Sequence, residues 1–302
     1  GTWWYHTHAE GQYPDGLRGP FIVHDDDFPY ADDVDEEVVL TFSDWYHEQM
    51  SPLMEAFMSK TNPSGAEPIP DAPLMNDTQN LKIKVEPGKT YHIRMVNIGA
   101  FAGQYIWFEG HTMRIIEVDG VYTKEAEAEV IYLAAAQRAS VLITTKDDAN
   151  ANFAIVGSMD TDLFDDFDPE TLNWNVTGWL VYDSDRDLPE PKLLEEFDAF
   201  DDTALVPFDE MPRLPPADHV VTLDVIMDNL GDGANYAFFN NVTYQRPRVP
   251  TLYTALTAGD LATDPLVYGH HTNAHVLEPG HVVDIVVNNL DPGPHPIRLH
   301  GS

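Results

Sequence analysis

The run GTWWYHTH at residues 1–8 and the run HPIRLHGS at residues 295–302 place a histidine cluster at each end of the chain. Side chains alternate between the two faces of a β-strand, so residues i and i+2 share a face roughly 6.5–7 Å apart. This spacing predicts that His6 and His8 project the same way on a strand, as would positions 298 and 300. Imidazoles on two strand segments are suited to bind copper, zinc or iron.

The length and the composition limit the possible classes of protein. A chain of 302 residues with 43% hydrophobic residues can form two domains, or one complete domain flanked by parts of others. It contains no stretch of about 20 apolar residues, so no membrane span is predicted. Its first residue is glycine rather than methionine, and the histidine motif of residues 1–8 begins at once. We therefore expect the chain to be a piece of a longer protein.

The chain is strongly acidic, with 51 Asp and Glu residues against 16 Lys and Arg residues and a formal net charge of −35. Such a charge argues against nucleic acid or an anionic membrane as a partner. Two explanations of the excess remain open. It can serve solubility or salt tolerance, and it can attract cations such as Fe(II) locally.

Short runs rich in Val, Ile, Tyr and Phe recur between turn residues, a pattern typical of an all-β sandwich. One helix is predicted near residues 54–60. The predicted strands span residues 37–42, 81–85, 91–96, 113–118, 139–144, 177–182, 219–225 and 281–287.

Seven further segments, together with the two histidine runs, resemble the multicopper oxidases and most closely the fungal iron-uptake ferroxidases of the plasma membrane. The histidine motifs are shared by laccases, whereas the run NPSGAEPIP favours the ferroxidases. The segments are GQYPDGLRGPFIV at 11–23, SDWYH at 43–47, NPSGAEPIP at 62–70, VNIGAF at 96–101, EVDGVY at 117–122, DVIMDNL at 224–230 and NYAFFNN at 235–241.

The resemblance implies Greek-key, cupredoxin-like β-sandwich domains. Residues 1–33 are then the C-terminal strands of a truncated first domain, and residues 34–184 are a complete second domain. Residues 185–217, rich in proline and acidic residues, are a linker. Residues 218–302 are the N-terminal part of a truncated third domain.

The resemblance also implies copper ligands. His6, His8 and His300 match ligands of the type 3 coppers, and His295 matches a ligand of the type 1 copper. The position of the expected type 2 ligand is Arg298, which is permanently protonated and offers no lone pair to a metal. Two explanations remain open: an error at the end of the sequence, or a genuine substitution that cripples the trinuclear copper site.

Acidic residues define the expected site of the reducing substrate. Fe(II) prefers oxygen ligands and Fe(III) prefers them more strongly, so carboxylates near the type 1 copper favour oxidation of bound iron. The family motifs place these carboxylates at Glu67, Asp165 and Asp291, and they place a nearby tyrosine at Tyr236. The acids that could replace Asp165 are Asp160, Asp162 and Asp166.

The implied activity is oxidation of Fe(II) at the type 1 copper and reduction of O₂ to water at the trinuclear cluster, in the service of iron uptake. The chain has no cysteine, and it lacks the H-W-H-G and H-C-H segments of the family, so this piece alone is expected to be inactive. Two alternatives remain: a laccase-like phenol oxidase, and a degenerate, non-catalytic cupredoxin protein suggested by Arg298 and Ser302.

Three sequons, at Asn76, Asn175 and Asn241, predict N-glycosylation. Together with the resemblance they favour the secretory pathway and the extracellular face of the plasma membrane. The resemblance further implies a membrane anchor beyond Ser302 and an iron permease as a partner.

The remaining histidines favour structural roles. His47 and His111 lack the spacing of ligands, so we predict packing or hydrogen bonding for both. His270, His271 and His275 lie in a polar segment and are predicted to be exposed to solvent.

Overall fold

The computed structural model describes residues 1–148, 150–165 and 167–299. Contacts within the chain define two units. Unit 1 contains Gly1–Met54 and Glu67–Met211, and unit 2 contains Glu55–Ala66 and the chain from Pro212 onward. The division into one complete and two truncated cupredoxin domains stays a prediction.

The described chain is built mainly of β-strands. Those of unit 1 are β1 (Thr2–His6), β2 (Arg18–Ile22), β3 (Glu36–Trp45), β4 (Ala72–Met75), β5 (Lys82–Lys84), β6 (Thr90–Asn97), β7 (Gln104–Phe108), β8 (Met113–Val118), β9 (Val121–Ala128), β10 (Ile131–Leu133), β11 (Arg138–Thr144), β12 (Phe153–Met159) and β13 (Asn175–Val181). Those of unit 2 are β14 (His219–Asn229), β15 (Asn235–Phe239) and β16 (Val283–Asn289).

Helices are few and short. The α-helices are α1 (Met50–Phe57) and α2 (Thr251–Thr257). Across the described residues, no helix is both long and apolar enough to cross a membrane. The 3-10 helices are Ala31–Asp33, Thr161–Leu163, Asp202–Ala204, Gly259–Thr263, Pro265–Tyr268 and His270–Thr272.

Unit 1 contains an antiparallel two-stranded sheet, β1-β2, and a sandwich of two larger sheets. One sheet has the strand order β4-β3-β6-β11-β8-β9, and the other has the order β10-β7-β12-β13-β5. Side chains from both sheets form one buried core, for example Phe42 and Ile93 from the first and Ile106 and Ile155 from the second. Most pairs are antiparallel, whereas β3–β6 and β13–β5 are parallel. The predicted all-β sandwich is confirmed.

Unit 2 contains a three-stranded sheet with β14 at its centre. β14 pairs antiparallel with β15 and parallel with β16. Val221 and Val225, which lie four residues apart on β14, are buried. Side chains of equal parity share one face of a strand, so this face of β14 faces the interior of the unit.

The structure extends some predicted elements and moves one. β3 continues past the predicted end at residue 42 through Ser43 and Asp44, two polar residues that are buried. The helix predicted near residues 54–60 begins at Met50, where the backbone N–H donates to Asp15 Oδ1 at 2.8 Å. This acceptor lies 35 residues earlier in the chain, so no local pattern could have predicted it.

Asp44 connects two of the motifs singled out in the sequence. Its Oδ1 accepts the N–H of Ala100 at 2.8 Å, and its Oδ2 accepts those of Phe101 at 2.7 Å and Ala102 at 3.0 Å. Hydrogen bonds to a carboxylate are stronger than those between neutral groups, and a buried carboxylate requires them. Asp44 of the SDWYH segment therefore holds the loop at residues 100–102, which includes the end of the VNIGAF segment.

Substitution of Asp44 by alanine should destabilise unit 1. The change leaves three N–H groups without their acceptor, and we expect a loss of roughly 3 kcal/mol in the free energy of unfolding. Urea titration followed by tryptophan fluorescence measures it. Asp26→Ala is the control, because Asp26 is an exposed carboxylate of the same unit, so a loss below about 1 kcal/mol is expected. Equal losses of unfolding free energy for both variants would contradict the structural role assigned to Asp44.

Candidate metal centre

His6 and His8 lie at and just beyond the end of β1, and their rings stack. The ring centroids are 4.5 Å apart with an interplanar angle of 29°. His6 also stacks on Trp4, with centroids 4.1 Å apart, and meets the ring of Tyr13 at 5.1 Å. The prediction that the two histidines project the same way is confirmed, and the surrounding aromatic rings restrict the orientation of His6.

The tautomer of His6 follows from its backbone contact. Its Nδ1 lies 3.0 Å from the carbonyl oxygen of Thr7, which can only accept a hydrogen bond. Nδ1 therefore has the proton, and Nε2 has the lone pair that a metal ion binds. A histidine that donates its second ring N–H to the protein is typical of metal sites.

A buried network fastens β1 to the six-stranded sheet. Glu117 accepts three hydrogen bonds: from Thr2 N at 2.7 Å, from Thr2 Oγ1 at 3.1 Å and from Ser140 Oγ at 2.7 Å. Arg94 donates from Nη1 to Thr2 Oγ1 at 3.0 Å. We call these four residues the Glu117 network; Glu117 lies on β8, Ser140 on β11 and Arg94 on β6. The strand that ends at the histidine pair is thus attached at its start.

Glu37 and His92 adjoin the Glu117 network. Arg94 Nε lies 2.8 Å from Glu37 Oε2 as an ion pair rather than an aligned hydrogen bond, and Arg94 Nη1 lies 3.5 Å from Glu117 Oε2. His92 stacks on Phe28, and its buried Nε2 has no hydrogen-bond partner among the described residues. Burial, and secondly the charge of Arg94, lower the pKa of His92 to about 3. No pattern in the sequence predicted that His92 is buried.

Asp291 and His295 form a direct hydrogen bond. His295 Nε2 lies 3.0 Å from Asp291 Oδ2, which also accepts the N–H of Gly293 at 3.0 Å. A carboxylate oxygen accepts, so Nε2 has the proton and Nδ1 has the lone pair for a metal. The predicted proximity of the two residues is confirmed.

The expectation that positions 298 and 300 share a strand face is wrong for residue 298. β16 ends at Asn289, and residues 294–299 are in no strand. Asn289 Nδ2 donates to Gly293 O at 2.7 Å, which closes a turn that breaks the strand. Arg298 is exposed. His300 lies outside the described residues.

Tyr236, at the second position of β15, contacts an acid that the sequence had not indicated. Its hydroxyl donates to Asp232 Oδ2 at 2.8 Å, and Ala234 N donates to Asp232 Oδ1 at 3.0 Å. These two hydrogen bonds, that of Ala234 first, lower the pKa of Asp232, and the bond to Asp232 raises the pKa of Tyr236. The only signal for Asp232 was its place between two glycines, three residues before the NYAFFNN segment begins.

Glu67 and Asp165 are both exposed and belong to unit 1. Asp165 lies in a turn after the 3-10 helix Thr161–Leu163, and Asp166 lies outside the described residues. Of the alternatives, Asp160 has a structural role, because its Oδ2 accepts the hydroxyl of Tyr132 at 3.0 Å. Burial raises the pKa of Asp160. The roles of Glu67 and Asp165 stay predictions.

Of two other histidines, His111 makes the hydrogen bonds predicted for it, and the ring of His47 lies close to a carboxylate. His47 is exposed, with Nδ1 3.1 Å from Asp71 Oδ1. His111 is buried; its Nδ1 donates to Glu109 O at 2.7 Å, and its Nε2 accepts the hydroxyl of Tyr182 at 2.6 Å. Burial lowers the pKa of His111, in agreement with a neutral, structural side chain.

Comparison with protein families shows to which family the chain belongs. Multicopper oxidase models match residues 1–27, 36–185 and 244–302, which together are most of the sequence. The chain belongs to the multicopper oxidase family. It is 62% identical to the iron transport multicopper oxidase fetC of Epichloe festucae over 301 residues, and 46% identical to an iron transport multicopper oxidase of Saccharomyces cerevisiae over 302 residues.

Solved structures agree with this assignment. The crystal structure of Fet3p, described as a multicopper oxidase that functions in iron import, is 45% identical with a TM-score of 0.94 over 97% of this chain and 55% of that chain. A laccase of Botrytis aclada, 23% identical with a TM-score of 0.80 over 96% of this chain and 54% of that chain, shares the fold. This multicopper oxidase chain spans about half the length of the curated relatives it matches.

Three of the expected copper ligands fit the metal. His6, His8 and His295 are imidazoles, and hydrogen bonds of His6 and His295 fix which ring nitrogen has the lone pair. Copper is well bound by imidazole nitrogen. Arg298 does not fit a copper ligand position. Within the described ranges, no three His, Asp or Glu side chains lie close enough together to hold a metal ion.

Replacing His92 with phenylalanine should change how stability depends on pH. In the unfolded chain a histidine gains a proton below its ordinary pKa of 6.5, whereas folded His92 does so only near 3. The wild-type protein therefore loses stability as the pH falls through this window. Phenylalanine keeps the stack on Phe28 and does not titrate.

We expect the stability advantage of wild type over His92→Phe to shrink by about 2 kcal/mol between about pH 7.5 and about pH 5. Urea titrations of both proteins at the two pH values measure this difference. Parallel pH dependences of the two proteins would show that His92 takes up a proton in the folded state.

Proposed function

We propose that the longer protein containing this chain is a ferroxidase that oxidises Fe(II) to Fe(III), reduces O₂ to water and serves iron uptake. The observation on which the proposal rests most is the hydrogen bond between Asp291 and His295. It joins a carboxylate to an imidazole that matches a type 1 copper ligand. The similarity to iron transport multicopper oxidases supports the same function.

Asp291 has one oxygen for each of two tasks. Its Oδ2 accepts the N–H groups of His295 and Gly293, whereas its Oδ1 accepts no hydrogen bond from the part of the chain that the structure describes. A carboxylate in this state can bind a cationic substrate through Oδ1 while it holds the imidazole through Oδ2. Because oxygen ligands bind Fe(III) more strongly than Fe(II), the carboxylate favours loss of an electron from bound iron.

The histidines of the chain would hold the resident copper. His295 is the proposed type 1 ligand, and His6, His8 and His300 are the proposed type 3 ligands. When bound, copper would accept single electrons from the substrate and would pass them to O₂, which is reduced to water. The ordered tautomers of His6 and His295 direct the lone pair of one ring nitrogen to the metal.

Glu67, Asp165 and Tyr236 complete the proposed iron site with Asp291. Carboxylates suit Fe(II), whereas the uncharged phenols oxidised by a laccase gain little from them. The formal net charge of −35 also favours the approach of a cation. This charge pattern favours iron over a phenol as the reducing substrate.

The proposed setting is the extracellular face of the plasma membrane, reached by the secretory pathway. An iron permease is the proposed partner, because Fe(III) released at the cell surface must be taken up before it hydrolyses. The sequons at Asn76, Asn175 and Asn241 agree with this route.

Alanine at Glu67 and at Asp165, introduced into the longer protein with histidine at position 298, should separate iron oxidation from phenol oxidation. We expect kcat/KM for Fe(II) to fall about tenfold or more, since each variant removes a charged ligand of the cation. Phenol turnover should stay within about twofold. Steady-state O₂ consumption with each substrate measures both values.

Glu190→Ala is the matched control, because Glu190 is also an exposed carboxylate and lies in the proposed linker. It should leave both substrates unaffected. Equal losses of kcat/KM for iron and for phenol in the Glu67 and Asp165 variants would contradict the iron-site assignment and favour a laccase.

Arg298 generates a separate prediction about copper. With arginine at this position we expect the longer protein to lack a type 2 copper signal in its electron paramagnetic resonance spectrum and to consume no O₂. Arg298→His should restore both. Resequencing of the gene is the first control, because a histidine codon would remove the reason to consider a degenerate protein. A type 2 signal in a protein with verified Arg298 would contradict the proposed ligand assignment.

A further inference from the structure

We propose that Asn62 and Tyr46 are positioning residues for Glu67, which hold the main chain on its two sides. The inference rests on the proposed function, because it takes Glu67 to be a ligand of Fe(II). It concerns two side chains that the iron-site assignment did not include. Both act on the carbonyl groups of residues adjacent to Glu67 in sequence.

Asn62 holds the N-terminal side. Its Nδ2 donates to Phe57 O at 3.0 Å and to Ala66 O at 2.9 Å, so both amide hydrogens have an acceptor. Gly65 N also donates to Asn62 O at 3.2 Å. Asn62 thereby links the last residue of α1 to the residue that precedes Glu67, and it closes the intervening chain into a tight loop.

The same loop has little freedom to rearrange. Gly65 has a φ of +72°, and a Cβ at this position would lie 2.1 Å from Asn235 Nδ2. That amide donates to Ser64 O at 3.1 Å. Only glycine combines this backbone conformation with such a close neighbour. Asn235 lies beside Tyr236, so β15 is also tied to the loop.

Tyr46 holds the C-terminal side. Its hydroxyl donates to Pro68 O at 3.2 Å. Burial, and secondly the charge of Asp44, raise the pKa of Tyr46, so the hydroxyl keeps its proton and remains a donor. Pro68 itself restricts the backbone of Glu67, because a residue before proline is confined to extended conformations.

Together these contacts leave the backbone of Glu67 fixed while its side chain is exposed. A cation that binds a carboxylate on a fixed backbone has to order only the side-chain torsions of that residue. Asn62 and Tyr46 bond to main-chain carbonyls rather than to substrate, so they influence iron binding through Glu67. The asparagine, glycine and prolines of the NPSGAEPIP segment thus fix the backbone that bears the Glu67 carboxylate.

The test uses Asn62→Asp and Tyr46→Phe in the longer protein with histidine at position 298. Aspartate keeps the shape of asparagine but cannot donate to Phe57 O or Ala66 O, and phenylalanine lacks only the hydroxyl. We expect KM for Fe(II) to rise about fivefold in each, since each removes one anchor. Phenol KM should stay within about twofold. Hydrogen exchange measured by mass spectrometry should be faster for the peptide that contains residues 62–69.

Two matched variants remove equivalent hydrogen bonds elsewhere. Tyr30→Phe removes a hydroxyl that donates to Thr123 O at 2.6 Å, and Asn152→Asp removes an amide that donates to Asp183 O at 3.0 Å. Both should lower stability without changing KM for Fe(II). If Asn62→Asp fails to fold, Tyr46→Phe alone decides the question.

Glu67→Ala, measured in the same series, separates the inference from the proposed function. A rise in KM for Fe(II) in Glu67→Ala but not in Asn62→Asp or Tyr46→Phe overturns the positioning roles and leaves the iron site intact. No change in Glu67→Ala overturns the iron site at Glu67 and the inference with it. A rise in the control variants equal to that in Tyr46→Phe also overturns the inference, because general loss of stability then explains it.

Discussion

The burial of the Glu117 carboxylate is the constraint on which the arrangement of unit 1 depends. Glu117 is 1% exposed, and a charge taken out of water destabilises the fold unless it is paired and hydrogen-bonded. Thr2, Ser140 and Arg94 provide those contacts from β1, β11 and β6. The network can be satisfied only when all of these strands are in place, so it couples the position of β1 to the assembly of the whole sheet.

Periodicity predicted the strands well, because alternation and β-branched residues are local properties. β8 was predicted with its observed bounds, Met113–Val118. Prediction failed where a distant residue decides the outcome. α1 begins at Met50 because Asp15 accepts its N–H, and β3 continues through Asp44 because a loop some 56 residues later donates to that carboxylate. Neither partner can be found from the local sequence.

The candidate site shows the same division. The alternation of His6 and His8 and the four-residue spacing of Asp291 and His295 predicted two contacts that the structure contains. Asp232 and His92 were missed, since the partners of each became apparent only in the folded chain. The prediction of a strand at residue 298 was wrong, because the side chain of Asn289 closes a turn directly after β16 and the chain does not continue as a strand.

The span of the Glu117 network also has a consequence for the order of events during synthesis. Its hydrogen bonds join Thr2 to residues 115 and 138 positions later. Contacts of such large sequence separation form late, because the loop-closure entropy must be overcome first. The strand that ends at His6 therefore leaves the ribosome well before Glu117 and Ser140, and the network can anchor it only after both have emerged. Until residue 140 has emerged, local contacts alone restrict the histidine pair, and the Glu117 network cannot yet hold β1 against the six-stranded sheet.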